Sequence, residues 1–124
     1  MKAVIAAGVL LCLLIGLFIA DDIAMERITE QMAQQLDLVR EAVEMQGDVP
    51  AALTATDQAW DKASEWLLVM ANHRDVDNVS RCILTMRTHL YYHQDKAALL
   101  ELETAKFLLR DIPKKEKLTL VNIF

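Results

Sequence analysis

Glycine and proline are nearly absent from this chain: of 124 residues, three are Gly and two are Pro. Turn-rich sheet folds lean on both, so their scarcity leaves long stretches with no reason to stop being helical. Cysteine is as scarce, with Cys12 and Cys82 alone, which excludes a disulfide framework. An excess of basic charge is missing too: the formal net charge is −5, which gives no support to a nucleic-acid partner. No stretch alternates apolar and polar residues long enough to promise a sheet. The one strand-like segment is the tail from Lys117 to Phe124.

What is there in quantity is apolar length. An uninterrupted run from Ala3 to Ala20 is opened by Lys2 and closed by Asp21 and Asp22. Eighteen helical residues rise ~27 Å, close to the ~30 Å hydrocarbon core of a bilayer. A secretory signal would also carry such a run, but cleavage after Ala20 places the bulky Phe18 at −3, and cleavage after Ala24 places Asp22 there. Cys12 follows Leu11, which argues against a lipid-modified cysteine. The expectation is an uncleaved single-pass anchor in the cell membrane. Lys2 biases the N-terminus to the cytoplasm and the body to the other side, since only Arg27 and Arg40 oppose it within some twenty residues of the run. Gly8, Cys12, Gly16 and Ala20 recur every four residues, a small-residue stripe along which a second helix, including another copy of this one, can approach closely. Membrane helices are rich in Gly and Ala in any case.

The remaining residues suffice for one domain with a core and are too few for two. Their apolar positions divide into four helical faces. Ile28, Met32, Leu36, Val39 and Val43 form the first, which Gly47 is expected to end. Asp48 is expected to cap the second helix, with Pro50 in its first turn and Leu53, Thr56, Trp60, Ala63, Leu67 and Met70 as its inner face. The third carries Val76, Val79, Ile83, Met86 and Leu90 behind an expected Asp75 cap. The fourth opens at Asp95, carries Ala98, Leu102, Ala105, Leu109 and Ile112, and is expected to end at Pro113. Short connections make neighbours antiparallel. The expected fold is therefore all-α: a transmembrane anchor over residues 1–20, a four-helix bundle of two helical hairpins over 21–112, and a C-terminal tail over 113–124. Gly47, Asp48, Ala51 and Leu53 align with Gln94, Asp95, Ala98 and Leu100, a faint repeat of one hairpin in the other. No Gly or Pro lies between Gly16 and Gly47, so the anchor and the first helix are expected to form one rod, with Asp21 or Asp22 as a fresh N-cap the competing possibility.

No catalytic, cofactor-binding or metal-binding set is expected, and enzyme activity is not. His89 and His93 stand four apart, the spacing at which two imidazoles on one helix face can share a metal, but no third ligand is near and His73 belongs to the other end of the hairpin. Cys82 reads as a small half-buried residue beside Ile83; Arg81 and Arg87 are weak grounds for an activated thiol. Trp60 and Trp66, six apart, point ~120° away from one another, so Trp60 is expected in the core and Trp66 at its flank. Charge is distributed unevenly. Residues 21–77 hold thirteen acidic and four basic residues, a balance of −9, and residues 78–124 hold five acidic and eight basic, a balance of +3. The two halves are expected to attract one another. Lys114, Lys115 and Lys117 could otherwise form a basic knuckle for anionic headgroups, with Glu116 among them weakening it.

The Lys2-led anchor, the Gly47-Asp48 turn and above all the closing stretch from Ala105 to Phe124, with Arg110-Asp111-Ile112-Pro113-Lys114-Lys115 at its centre, resemble the family called domain of unknown function 4363. These are small proteins of Gram-positive, often spore-forming bacteria. Val49 and Pro50 stand where that family often carries Trp. The resemblance implies a membrane-anchored helical protein without an assigned activity and supplies no site residues. The expected role is a membrane-tethered interaction or structural module that holds to the bilayer through residues 3–20 and binds another membrane or envelope protein. The alternative is a sensory or regulatory domain for a small ligand or metal near His89 and His93. An uncleaved anchor predicts that the protein stays in the membrane pellet after alkaline carbonate extraction and keeps its first twenty residues. Recovery of a mature chain beginning near Asp21 would overturn it.

Overall fold

The computed structural model describes residues 1–123, with side chains described through Leu118 and at Asn122. Four helices make up the fold: α1 (Lys2–Glu44), α2 (Val49–Met70), α3 (His73–Tyr91) and α4 (Asp95–Ile123), with no strand among the described residues. α1 has no break at Asp21 and Asp22, so neither starts a new helix, and residues 2–20 are exposed throughout. Among the described residues it is the one helix long and apolar enough to cross a membrane. Beyond Asp22 the same rod becomes amphipathic and buries Met25, Thr29, Met32, Ala33, Leu36 and Val39.

α1 packs against α2 on one side and α4 on the other, α4 packs against α3, and α2 meets α3 across a thinner seam. Each helix therefore lies beside its sequence neighbours and the last returns to the first, an up-down-up-down bundle. The expected inner faces meet in its centre. Leu36, Val39, Leu67, Val79, Leu102, Ala105 and Leu109 are fully enclosed, and Ile28, Val43, Leu53, Ala63, Met70 and Leu90 close the core at its edges. Two hydroxyls inside it are satisfied by their own helices: Thr29 Oγ1 donates to the Met25 carbonyl at 2.9 Å and Thr56 Oγ1 to the Ala52 carbonyl at 2.8 Å. Gln35 Nε2 donates to Thr56 Oγ1 at 3.3 Å and ties α1 to α2. Across the thin seam, the Trp60 indole donates to Ser80 Oγ at 2.8 Å.

The two hairpin turns, one after α1 and one after α3, are built alike. Gln46 has φ 55° and His93 has φ 57°. The Gly47 N–H then reaches back to the Ala42 carbonyl at 2.7 Å, and the Gln94 N–H to the His89 carbonyl at 2.8 Å. These are Schellman closures, and they satisfy carbonyls that a helix end leaves open. The repeat visible in sequence is thus a repeat of helix endings. The left-handed position is held by Gln46, one residue before the Gly47 expected to end the helix. Gly47 lies against the preceding turn: a Cβ there would stand 3.4 Å from Ala42 Cα, at contact distance.

Asp48 caps α2 as expected, its Oδ1 accepting from the Ala51 N–H at 3.1 Å. The cap of α3 is Asn72 and not Asp75; Asn72 Oδ1 accepts from the Arg74 N–H at 2.9 Å. Asp75 sits in the first turn, where it meets Lys115 instead. Pro113 does not end α4, which runs on to Ile123, so residues 113–123 continue the bundle and are not a separate or strand-like tail; Phe124 lies outside the described residues. An internal proline costs a helix ~3 kcal/mol or more through the lost N–H and the clash with the preceding turn. Here Pro113 is itself buried, and the turns beyond it are bonded to α3 through Lys115 and Asp75 and to α1 through Lys117 and Glu26. Tertiary contacts outweigh the local signal to stop.

Leu67→Asp places an unpaired carboxylate at a fully buried position. The cost is several kcal/mol, a large share of the ~5–15 kcal/mol a domain has. Circular dichroism of the variant is expected to show no cooperative melt. Asp48→Ala, which removes one cap worth ~1 kcal/mol, is expected to lower the midpoint by a few degrees only; parental melting of both variants would show that the assigned core and cap are wrong.

Candidate interaction surfaces at the two ends of the bundle

The acidic first half and the basic second half meet as expected. Lys117 pairs with Glu26 at 2.5 Å, Arg110 with Glu30 at 3.4 Å and Lys106 with Asp37 at 2.6 Å, while Arg40 reaches Glu103 in the same α1–α4 seam. Arg87 of α3 pairs with Asp57 of α2. Lys115 bridges Asp75 of α3 at 3.2 Å and Asp111 of its own helix at 3.5 Å. Surface pairs of this kind contribute ~0–1 kcal/mol each, so their main effect is to select the antiparallel register. Among the described pairs, the side chains held deepest are Lys106, 12% exposed, and Asp75, 15% exposed. The carboxylates keep their partners charged: Glu26 raises the Lys117 ammonium above its ordinary value, and Glu44 followed by Glu103 does the same for the Arg40 guanidinium. Across the α2–α3 seam satisfaction is incomplete, since Arg87 Nε is buried with no hydrogen-bond partner among the described residues.

The basic knuckle is divided by these pairs. Lys115 and Lys117 are engaged, and Lys114 carries no ion pair among the described residues. Lys114 instead lines a groove of ≈ 750 Å³ between α1 and α4 together with Ile23, Arg27, Arg110 and Pro113. This groove lies at the end of the bundle where the apolar part of α1 emerges. At the opposite end, between the two Schellman turns, a cleft of ≈ 460 Å³ is walled by Val43, Val49, Pro50, Leu53, Leu90 and Tyr91, with Arg87, His93 and Asp95 at its edges. Tyr91 and Tyr92 stand exposed beside it, edge to face with ring centres 5.1 Å apart. Neither cleft was legible as a site in the sequence, because each is assembled from residues on different helices.

The expected residues fall as follows. His93 lies past the end of α3 in a left-handed conformation, and a ring nitrogen of His89 is 2.8 Å from Gln94 Oε1, so the shared helix face that would let both hold one metal is lost. Among the described residues no three His, Cys, Asp or Glu side chains are grouped to hold a metal ion. Cys82 is half-buried, and burial, followed by the nearby Glu101, pushes its thiol above the ordinary value, the reverse of an activated nucleophile. Trp60 is in the core, as expected. Trp66 is further out than a flank of the core: it is 64% exposed and edges a groove shared by α1 and α2. The small-residue stripe is open, with nothing within 4 Å of where a Cβ would stand on Gly8 or Gly16.

These observations define a class: an antiparallel four-helix bundle whose first helix continues into a candidate membrane span, with clefts at both ends. Residues 23–123 match the family described as Domain of unknown function (DUF4363), and the chain belongs to it. The match begins immediately after the apolar run and includes the part of α4 beyond Pro113. Comparison with the curated proteins and with the solved structures gave no match.

The raised Cys82 value makes a prediction of sign. The neutral thiol is favoured in the folded state, so its contribution to stability is present below the ordinary thiol value near 9.0 and is lost as pH rises from there through the folded-state value. In a Cys12→Ser background in detergent, alkylation of Cys82 at neutral pH is expected to be slower in folded than in denatured protein, with its pH midpoint displaced upward. Equal rates would show an accessible thiol.

Proposed function

We propose that this protein is a membrane-tethered, non-enzymatic helical module that binds another membrane or envelope protein. The observation that carries the reading is the continuity of α1 from Lys2 to Glu44. A rod without a hinge holds the body upright on its anchor and presents the cleft between the hairpin turns roughly 40 Å from the end of the apolar run. That cleft is concave, mainly apolar and rimmed by a few polar groups, the character of a recognition site. A second feature supports a partner within the bilayer. At ~100° per residue, Gly8, Cys12, Gly16 and Ala20 fall on the side of α1 that continues as Ile23, Arg27, Gln34 and Leu38, opposite the core face of Met25, Met32, Leu36 and Val39. A partner helix, from another protein or a second copy, can lie along the stripe without meeting the bundle. Lys2, opposed only by Arg27 and Arg40 near the run, favours a cytoplasmic N-terminus and an extracytoplasmic body.

Two measurements test this. A cysteine at exposed Gln58, in a Cys82→Ser background, is expected to react with impermeant thiol reagents in intact cells; reaction only after lysis would place the body in the cytoplasm. A photo-cross-linking residue at Tyr91 is expected to yield one discrete adduct in native membranes that the same residue at Lys62 does not. Identical patterns from both positions would remove the cleft as the partner site.

A further inference from the structure

The end of the bundle nearest the apolar run has a composition unlike a solvated surface. Antiparallel register fixes what sits there. The Gln35–Thr56 hydrogen bond, and the groove in which Ile28 and Met32 face Ala63 and Ala59, bring Trp66 level with Met25 and Val69 level with Asp22. On the other side, the Lys117–Glu26 pair brings Leu118 level with Met25. Counted along α1 from Ala20, Val69 stands ~3 Å, and Trp66 and Leu118 ~8 Å, above the end of the apolar run. A bilayer's headgroup zone is ~5–7 Å deep on each side, so all three side chains fall within it or at its outer edge. They are also turned outward: Val69 is 84%, Trp66 64%, Leu118 63% and Ile23 54% exposed.

Charge at the same end is selective. In the groove between α1 and α4, Glu26 is matched by Lys117 and Glu30 by Arg110. Arg27 and Lys114 line that groove without an ion pair among the described residues, so two cations remain. Arg27 is ~11 Å from the end of the run, and the Lys117–Glu26 register puts Lys114 ~3 Å higher, a difference that a lysine side chain several ångströms long can span.

We propose that this end of the bundle rests on the membrane surface, with Val69 and Ile23 low in the headgroup zone, Trp66 and Leu118 at its outer edge, and Arg27 and Lys114 above them reaching down to the phosphate of an anionic phospholipid. The proposal rests on the anchor reading and deepens it: the body is seated on the lipid at α2 and α4 as well as tethered through α1. Tryptophan favours the membrane–water interface, where its ring is apolar and its N–H can stay wet. The bilayer is the occupant that fits because the exposed apolar side chains stand near the end of the apolar run and the unpaired cations of the groove stand above them. Aliphatic Val69 is lowest, beside the acidic Asp21 and Asp22, aromatic Trp66 is above it, and the free cations stand higher still, at ~11–14 Å, from where long side chains reach down towards the phosphates.

The test uses the full chain reconstituted into phosphatidylcholine vesicles with and without phosphatidylglycerol. Flotation with phosphatidylcholine alone reports on the anchor, and its failure would overturn the anchor and this proposal together. In protein that floats, Trp66 fluorescence in a Trp60→Phe variant is expected to be quenched by lipids carrying a nitroxide near the headgroup and to be shielded from aqueous iodide. Because Trp60 is in the core, an environment-sensitive dye at Val69→Cys in a Cys82→Ser background gives the same readout without touching the core. Iodide quenching without nitroxide quenching, or an aqueous dye spectrum, would overturn the seating alone. For the headgroup, native mass spectrometry of protein released from mixed vesicles is expected to show phosphatidylglycerol retained over phosphatidylcholine. Each cation beside an anionic surface contributes about fivefold in affinity, so Arg27→Gln with Lys114→Gln lowers that preference about 25-fold, while Arg81→Gln with Lys96→Gln, both exposed and further from the apolar run, leaves it. Unchanged preference in the first pair, or displacement of the lipid by millimolar glycerol phosphate, would overturn the phospholipid assignment.

Discussion

Everything in this protein depends on the absence of a break in α1. Between Gly16 and Gly47 no residue releases the backbone from the helix, and the structure continues through Asp21 and Asp22 as one rod. A helix is stiff over this length, so the rotation of the apolar segment is coupled to that of the body. The face that buries Met25, Met32, Leu36 and Val39 determines which face of residues 3–20 looks away from the bundle. It also determines height: each body residue stands at a distance from the apolar run set by ~1.5 Å per residue. A flexible linker after Ala20 would have removed both constraints, and neither end of the bundle would then have a defined relation to a bilayer.

The ion pairs act on this frame as selectors and contribute little to its stability. Apolar burial along the four inner faces supplies most of the driving force. The same burial would tolerate other arrangements of four amphipathic helices. What the Lys117–Glu26, Arg110–Glu30 and Lys106–Asp37 pairs add is a preference for α4 running antiparallel along α1 in one register, with opposite charge concentrated in opposite halves of the chain. Their effect reaches past Pro113. The proline removes a donor and would end an isolated helix, yet it is buried, and the turns beyond it have partners on α1 and α3. With α4 extended to Ile123, the bundle returns to the level at which α1 leaves the apolar run.

The two hairpin turns show how little sequence identity a repeated structure needs. Gln46 and His93 share the left-handed conformation although neither is glycine, and the residues that follow them, Gly47 and Gln94, close the same bond back to the helix. His93 is consumed by this role. A pair of histidines that looked like half of a metal site is a helix ending and a ring bonded to Gln94.

Much of the fold was legible in the sequence: the four helices and their inner faces, the Asp48 cap, the core position of Trp60, the unbroken rod and the attraction between the halves. These features rest on local rules, helical periodicity, capping chemistry and the scarcity of helix breakers, each of which acts within a few residues. The α3 cap and the course of α4 were misread, because Asp75 and Pro113 carry strong local signals that contacts with distant residues override. The clefts were invisible, since Val43, Leu53 and Leu90 come together only when three helices pack, and the same holds for Arg27 and Lys114 across the α1–α4 groove. By itself the sequence determined that the chain is helical, which faces are apolar, and that one helix is long and apolar enough to span a bilayer. Register, and with it which exposed residues share an end of the bundle and at what height, was decided only by the tertiary structure, because register is a relation between helices that no single stretch of chain encodes.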